Sequence, residues 1–280
     1  MATFSLQAKP DDAAGWLDLA QRAEAAGFHT LYTPDHPGSC TSPFVALAAA
    51  AAVTSTIRLG SYVVNAGVRE PILIAADVAT LDVVSGGRAV FGIGAGHTPA
   101  EWAAVGRERP GVRDRVDHCI AVAEATMRML AGEGMESPRP VQERVPLLFG
   151  GGNTRLLRWA AGQADLIGLS GLGRTLEDGH MHTARFHPEQ VDRQVELAGG
   201  VPVEVLAHYV EVTADAGAAY AKWAADAELS EAEMAVTPYA LAGTESEIRA
   251  KLAENERRWG ITRYAVRRPA FEVAATLLAG

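Results

Sequence analysis

The sequence predicts an α/β fold, a TIM-type barrel in which eight parallel strands alternate with helices. The chain of 280 residues is 48% hydrophobic and 21% charged, which suits one barrel of this size. Short apolar segments alternate with longer segments of helical periodicity, and apolar strands of this kind belong to parallel sheets covered by helices. We find no linker and no repeat of fixed period. We therefore expect residues 1–280 to form a single barrel domain.

Eight segments are predicted as strands, and nearly all of them precede a helical segment. The seventh is long enough to hold either one long strand or two short ones. In chain order the strands are Thr3–Gln7, His29–His36 (which runs into a loop), Ile57–Asn65, Ala89–Gly96, Val145–Gly152, Ala164–Gly171, Val201–Thr213 and Thr262–Val266.

The helices are predicted from apolar residues at helical spacing and from terminal signals. Gly27 ends the first helix, and Pro71 stands in a first turn, where its missing N–H costs nothing. Two irregular segments, Gly132–Glu143 and Leu172–His187, are candidates for a lid. The predicted helices are Asp11–Ala26, Pro43–Val53, Pro71–Val84, Asp114–Leu130, Thr154–Gly162, Pro188–Ala198, Ala214–Ala225, Glu245–Trp259 and Phe271–Leu278.

Composition and charge exclude several classes of protein. The net charge of −9 and the absence of a Lys/Arg run argue against nucleic acid as a partner. The N-terminal residues lack the pattern of a signal peptide, and no apolar run is long enough to span a bilayer. Two cysteines, Cys40 and Cys119, are too few for a disulfide framework. We expect a cytoplasmic protein that acts on a small molecule and does not associate with membranes.

Active-site residues of such barrels follow the carboxyl ends of the strands. Asp35 and His36 follow the second strand, and an Asp-His pair there can hold the imidazole in one tautomer near a reacting atom. The alternative is a loop-capping aspartate beside a solvated histidine. The other residues in equivalent positions are Tyr62, Val63, Val64, Asn65, Gly94, Gly96, His97, Ser170 and Gly171.

Three consecutive glycines, Gly150–Gly152, follow the fifth strand, and Asn153 and Thr154 then begin a helix. Successive glycines allow a close approach of the backbone to a ligand, and the helix N-terminus attracts anions. This pattern favours a phosphate site, to which Arg155 could add a charge-assisted hydrogen bond. The alternative is a tight turn that binds nothing.

Other site chemistries have weaker support. His180, His182 and His187 lack the spacing of metal ligands, so we interpret them as part of a surface loop and expect no metal site. The glycines of Gly92–His97 do not open a helix as a dinucleotide-binding fingerprint does. No Gly-x-Ser-x-Gly sequence is present, which disfavours a serine hydrolase.

Four stretches together resemble the luciferase-like flavin and deazaflavin oxidoreductases, and most closely the branch that uses coenzyme F420. They are AEAAGFHTLYTPDH (residues 23–36), TSTIRLGSYVVN (54–65), ATLDVVSGGRAVFGIGAG (79–96) and VPLLFGGGNTRLLRWAAGQADLIGLSG (145–171). LAGTESEIRAKLAENERRWGITRY (241–264) is similar to the C-terminal region of the same family. The LDxxSGGR…GxGxG string is quite specific for the family, whereas the residues distinguish less well between a deazaflavin and FMN.

The resemblance implies a barrel with the cofactor ring in its mouth and a homodimeric assembly. Asp35 and His36 would lie near the ring, with His97 as a second candidate acid. A non-proline cis peptide would fall within Tyr62–Val64. The cofactor phosphate would be held by Gly150, Gly151, Gly152, Asn153 and Thr154, and the rest of the cofactor site would comprise Tyr62, Val63, Val64, Asn65, Gly94, Gly96, Ser170 and Gly171.

The function that this resemblance implies is hydride transfer between coenzyme F420 and a small organic substrate with an activated C=C or C=N bond. An FMN-dependent monooxygenase working with a partner reductase is the alternative, and a non-catalytic flavin-binding barrel is a third. His97 stands where the sugar-phosphate dehydrogenases of the family have a glutamate, so sugar-phosphate oxidation is not expected. The segment Gly132–Pro146 is shorter than is usual in the family.

Overall fold

A computed structural model describes residues 2–176 and 182–280. Its main sheet is a closed barrel of parallel strands, which confirms the predicted fold class. The barrel strands are β1 (Thr3–Gln7), β2 (Thr30–Thr33), β3 (Arg58–Ser61) with its short continuation β4 (Val64–Asn65), β5 (Ala89–Gly94), β6 (Leu147–Gly150), β7 (Leu166–Leu169), β10 (Val203–Ala207) and β13 (Arg263–Arg267). Pairing of β3 with β5 closes the ring.

Two further pairs of strands lie outside the barrel. β8 (Leu172–Thr175) and β9 (His182–Ala184) are antiparallel, while β11 (Tyr209–Val212) and β12 (Ala240–Gly243) are parallel. The predicted strand Val201–Thr213 is therefore two strands, β10 and β11, the second of which leaves the barrel. No sequence pattern predicted β12, which lies in a link that we expected to be irregular.

The helices are close to those predicted, with two short additions, α4 and α9. α9 begins with a capping box of Ser230 and Glu233, and α10 with one of Thr244 and Glu247. The helices are α1 (Ala13–Ala25), α2 (Pro43–Ala51), α3 (Pro71–Ser85), α4 (Pro99–Ala104), α5 (Val112–Leu130), α6 (Thr154–Ala160), α7 (Pro188–Ala198), α8 (Ala216–Ala227), α9 (Glu231–Val236), α10 (Glu245–Trp259) and α11 (Phe271–Ala279).

The LDxxSGGR string lies at the amino end of the barrel, away from the strand ends that carry active sites. The buried guanidinium of Arg88 donates to four backbone carbonyls, those of Ala51, Thr54, Ile57 and Ser85, and to the Thr54 hydroxyl, at 2.7–3.1 Å. Asp82 accepts hydrogen bonds from the backbone N–H groups of Val141 and Gln142 at 2.7 and 2.9 Å. This part of the string has a structural role.

The two segments that were candidates for a lid lie at opposite ends of the barrel. Gln142 donates to the carbonyl of Ala89 at the start of β5, so 132–143 packs at the amino end of the barrel and is not a lid over the site. The other candidate, 172–187, lies at the carboxyl end as β8 and β9, although residues 177–181 fall outside the described part of the chain. Within the described ranges, no helix combines the length and apolar character that crossing a bilayer requires.

Candidate active site

A cavity of about 920 Å³ opens at the carboxyl ends of the barrel strands. Every predicted site residue except Thr154 lines it: Asp35, His36, Tyr62, Val63, Val64, Asn65, Gly94, Gly96, His97, Gly150, Gly151, Gly152, Asn153, Ser170 and Gly171. Thr154 instead borders a separate depression beside Arg113 and Trp159. Arg155 borders the same depression and pairs with Asp117 on α5.

A histidine–glutamate pair lies at the wall of this cavity. Nδ1 of His36 is 2.7 Å from Oε1 of Glu101, which is 4% exposed in the first turn of α4. The other oxygen of Glu101 accepts a hydrogen bond of 2.5 Å from the Asn65 side-chain amide. A carboxylate can only accept, so Nδ1 carries the proton and Nε2 is the ring nitrogen left for exchange with a ligand.

Asp35 does not make the contact that the sequence suggested. Its carboxylate receives two hydrogen bonds from Arg69, at 2.7 and 2.8 Å, and one of 3.1 Å from the backbone N–H of Asn65. It is only 2% exposed. Asp35 therefore fixes the loop that carries Asn65, and Glu101 takes the place beside His36 that we had expected Asp35 to take.

His97 lies next to His36, with ring centroids 5.2 Å apart, and next to His182, at 4.3 Å. Burial, with the neighbouring His182, His36, Arg115 and Arg109, lowers the pKa of His97 to about 3. The imidazole of His97 is therefore neutral at physiological pH. His182 lines the cavity, so the expectation that it belongs to a surface loop is wrong; His180 lies outside the described residues.

A non-proline cis peptide joins Tyr62 to Val63, within the range that the resemblance implied. The Gln7 side-chain amide donates to the Tyr62 carbonyl at 2.7 Å. Two of the predicted cofactor-site glycines make room for Val63: a Cβ on Gly94 or Gly150 would lie 2.6 or 2.7 Å from a Val63 methyl. These glycines are required by the packing of the protein itself.

Side chains of the protein also occupy the space beside other glycines of the site. A Cβ on Gly96 would meet Oδ1 of Asn65 at 1.9 Å, and one on Gly152 would meet Nε2 of Gln194 at 2.1 Å. Gly171 has a φ of +65°, and a Cβ added there would lie 2.4 Å from the Phe186 ring. The glycines therefore let Asn65, Gln194 and Phe186 approach the backbone at the cavity wall.

Polar atoms without partners lie beside the glycine loop 150–152. Oε1 of Gln194 and Nε of Arg115 are buried, and neither has a hydrogen-bond partner among the described residues. The Gly152 and Asn153 N–H groups likewise donate no hydrogen bond within the described ranges. The Asn153 side chain is already engaged, because it caps α6 by accepting from the N–H groups of Arg155 and Leu156. Unpaired buried donors and acceptors indicate a place for a polar ligand.

The cavity wall is rich in positive charge, although the protein carries a net charge of −9. The carboxylates that line it in the described part of the chain each have a partner: Asp11 is paired with Arg268, Asp35 with Arg69, and Glu101 with His36. A cavity lined by charge of one sign attracts ligands of the opposite sign. The basic residues of the wall are Lys9, Arg109, Arg115, Arg174, Arg185, Arg267 and Arg268.

Comparison with known proteins identifies the family. The sequence profile described as luciferase-like monooxygenase matches residues 2–263. The chain belongs to the luciferase-like monooxygenase family. This membership agrees with the resemblance carried by the sequence and with the closed barrel, and it places the chain among oxidoreductases and monooxygenases.

Curated relatives match parts of the chain. An uncharacterized protein of Mycobacterium tuberculosis is 31% identical over 180 residues, which are 52% of this chain and 64% of that protein. The match thus spans less than two thirds of that relative. A 5,10-methylenetetrahydromethanopterin reductase of Methanopyrus kandleri is 38% identical over 95 residues, which are 34% of this chain and 27% of that enzyme.

Solved structures support the luciferase-like fold over the whole chain. The coenzyme F420-dependent tetrahydromethanopterin reductase of Methanopyrus kandleri has a TM-score of 0.71 and 19% identity, covering 99% of this chain and 97% of that one. The monooxygenase RslO1 of Streptomyces bottropensis has a TM-score of 0.72 and 21% identity, covering 99% and 96%. At these identities the likeness concerns the fold, which is shared by enzymes of both chemistries.

Proposed function

We propose that the chain is a coenzyme F420-dependent oxidoreductase that transfers a hydride between the deazaflavin and a small organic substrate. The observation that carries this proposal is the His36–Glu101 pair at the wall of a glycine-lined, positively charged cavity. A histidine positioned by a buried carboxylate suits the proton transfer that accompanies reduction of a C=C or C=N bond. The partial match to an F420-linked type of reductase favours the deazaflavin.

The residues present fit such a cofactor. Tyr62–Asn65 would support its ring, and the loop 150–153 would face its phosphate. The free N–H groups of Gly152 and Asn153 and the unpaired Nε of Arg115 suit phosphate oxygens, while Oε1 of Gln194 suits a hydroxyl donor. Gly94, Gly96, Ser170 and Gly171 would complete the wall. When bound, the deazaflavin supplies or accepts the hydride.

In this mechanism His36 holds and moves a proton at Nε2, because Glu101 engages Nδ1. Glu101 orients the ring and is in turn held by Asn65, which Asp35 and Arg69 fix in place. His97 is neutral and can contribute only a neutral N–H or a lone pair, since burial and its charged neighbours lower its pKa to about 3. The residue that exchanges a proton with the substrate is thus His36 rather than His97.

An FMN-dependent monooxygenase that receives reduced flavin from a partner reductase is the second candidate. The likeness to RslO1 favours it, and FMN also carries a phosphate that the loop 150–153 would accept. A barrel that binds a flavin without catalysis is the third candidate. We also propose that the chain is cytoplasmic and forms a homodimer.

The test is a titration of the purified protein with coenzyme F420 and, separately, with FMN, followed by tryptophan fluorescence. We expect tight binding of F420 and weaker binding of FMN. Tighter binding of FMN would instead favour the FMN-dependent monooxygenase. Binding of neither cofactor would overturn the proposal. Turnover of unsaturated or imine substrates with F420 then separates an enzyme from a binding protein.

A matched pair of variants on α5 tests where the phosphate lies. Arg115→Gln should weaken F420 binding about 10- to 100-fold, because it removes a charge-assisted contact. Arg113→Gln removes an exposed arginine two residues away that lines only the outer depression, and it should leave the affinity unchanged. Equal effects of the two changes would contradict the assigned position.

A further inference from the structure

We propose that the substrate accepted beside the cofactor is an anion, a small organic molecule with a carboxylate or phosphate group that Arg267 and Lys9 bind. This inference rests on the proposed function and names the substrate class of the same cavity. Its basis is a second group of positive charges, separate from the one beside the glycine loop.

The basic residues of the wall divide by position. Arg109 and Arg115 donate to the carbonyls of His97 and Gly96, in the loop that follows β5, and so lie near the glycine loop. Lys9 follows β1, and Arg267 ends β13. Around the barrel the order is β1, β2, β3, β5, β6, β7, β10, β13. β1 therefore lies four strands from β6 in either direction, so Lys9 is across the cavity from the glycine loop.

Neither Lys9 nor Arg267 is neutralised within the described part of the chain, where neither side chain has an ion pair or a hydrogen bond. The neighbouring Arg268 differs, because it pairs with Asp11 at 2.5 Å. Two unpaired cations thus face one cavity at adjacent strand ends.

Arg267 is linked through Gln7 to Tyr62, in the segment that is proposed to support the cofactor ring. It is the register partner of Gln7, whose amide donates to the Tyr62 carbonyl beside the cis peptide. Arg267 is exposed at the mouth of the cavity, and partial desolvation by the surrounding walls lowers its pKa. A bound anion would offset that loss of hydration.

General barrel geometry favours the same place. Phosphate sites of (β/α)8 barrels are frequent after the last two strands, which here are β10 and β13. Arg174 and Arg185, on and after the β8–β9 pair, are exposed at the rim, where they can steer an anion towards the cavity. The glycine loop after β6 remains for the cofactor phosphate.

The experiment measures binding of two probe anions, inorganic phosphate and succinate, to the F420-loaded protein at low ionic strength by calorimetry. The two arms distinguish a phosphate from a carboxylate ligand. We expect at least one probe to bind, and Arg267→Gln and Lys9→Gln each to weaken it about tenfold or more. Arg257→Gln, on the outer surface of α10 and paired with Glu254, is the control and should change nothing.

The outcomes separate this inference from the proposed function. Undiminished F420 binding with no anion binding, or with anion binding unaffected by Arg267→Gln and Lys9→Gln, would overturn the anionic substrate and leave the cofactor assignment intact. Anion binding lost in Arg115→Gln instead would place the probe in the cofactor phosphate site, which also overturns the inference. Failure of F420 to bind would overturn the proposed function, and the same titration on the unloaded protein would still test Arg267 and Lys9.

Discussion

Glu101 orients the ring of His36, because its carboxylate lies 2.7 Å from Nδ1 although the two residues are 65 positions apart in the sequence. The pair depends on a third residue, because the Asn65 amide holds the other carboxylate oxygen at 2.5 Å. The proposed proton-transfer group is therefore built from the ends of β2 and β4 and the start of α4.

Glu101→Gln should lower kcat about 10- to 100-fold with a substrate that supports turnover, while the affinity for the cofactor changes little. Glutamine keeps the size of the side chain but removes the charge that holds Nδ1–H, so the ring loses its fixed orientation. His36→Asn should cost more, about 10²–10⁴-fold. Steady-state kinetics on both variants gives the measurement. Glu108→Gln, an exposed carboxylate nearby, is the control, and an unchanged kcat in Glu101→Gln would contradict the role.

Gly96→Ala should abolish tight cofactor binding. Its Cβ would overlap Oδ1 of Asn65 at 1.9 Å and displace the residue that holds Glu101. Gly106→Ala is a matched control, because Gly106 has a similar φ of +71° but no atom within 4 Å of the added Cβ. It should cost only about 1 kcal/mol of stability, the strain of a side chain in the left-handed region. Fluorescence titration and urea unfolding distinguish the effects, and equal cofactor affinity of the two variants would contradict the prediction.

The sequence predicted the eight barrel strands and the longer helices because apolar periodicity and terminal residues mark each of them locally. It also placed Asp35, His36 and the glycine loop, because the carboxyl ends of parallel strands meet at one edge. It missed Glu101, Arg69 and Gln194, since contacts between residues tens of positions apart leave no local pattern. It attributed Gly94 and Gly150 to a ligand because nothing in one sequence indicates that Val63 packs there.

Arg88→Lys should destabilise the protein by about 2–4 kcal/mol without changing cofactor affinity in the folded fraction. Lysine keeps the charge but cannot satisfy the four buried carbonyls that the guanidinium reaches at the amino end of the barrel. Urea unfolding monitored by circular dichroism gives the free energy. If Arg88→Lys weakened the cofactor affinity while the protein remained fully folded, the LDxxSGGR string would instead have a role in binding.

Leu73→Glu should dissociate the proposed homodimer. Val45, Ile72 and Leu73, on the packed helices α2 and α3, are 71%, 42% and 59% exposed, and such apolar patches are typical of protein interfaces. A buried charge there should raise the dimer dissociation constant by about 100-fold or more. Analytical ultracentrifugation is the measurement. Val141→Glu, at a position 61% exposed in the segment 132–143, is the control. A monomeric unmodified protein, or a dimer unaffected by Leu73→Glu, would contradict the prediction.

The stability of the protein should fall as the pH decreases from about 6.5 towards 4, in part because of His208. This ring is packed against Phe186, and its Nε2 is 2.5 Å from the Ser170 carbonyl at the cavity wall. Burial, with the nearby Arg267, lowers the pKa of His208 to about 4. The unfolded chain, with an ordinary pKa near 6.5, binds more protons in this interval, so protonation favours unfolding.

His208→Gln should remove this contribution, which is up to about 2 kcal/mol between pH 7 and pH 5. Glutamine can still donate to the Ser170 carbonyl, so the variant mainly removes the titrating group. Urea unfolding at pH 5, 6 and 7 should give a shallower dependence of the free energy on pH than in the unmodified protein. Tyr239→Phe changes the same aromatic cluster without removing a group that titrates in this range, so its dependence should parallel that of the unmodified protein. A slope unchanged in His208→Gln would mean that His208 is not the group whose protonation destabilises the fold in this interval.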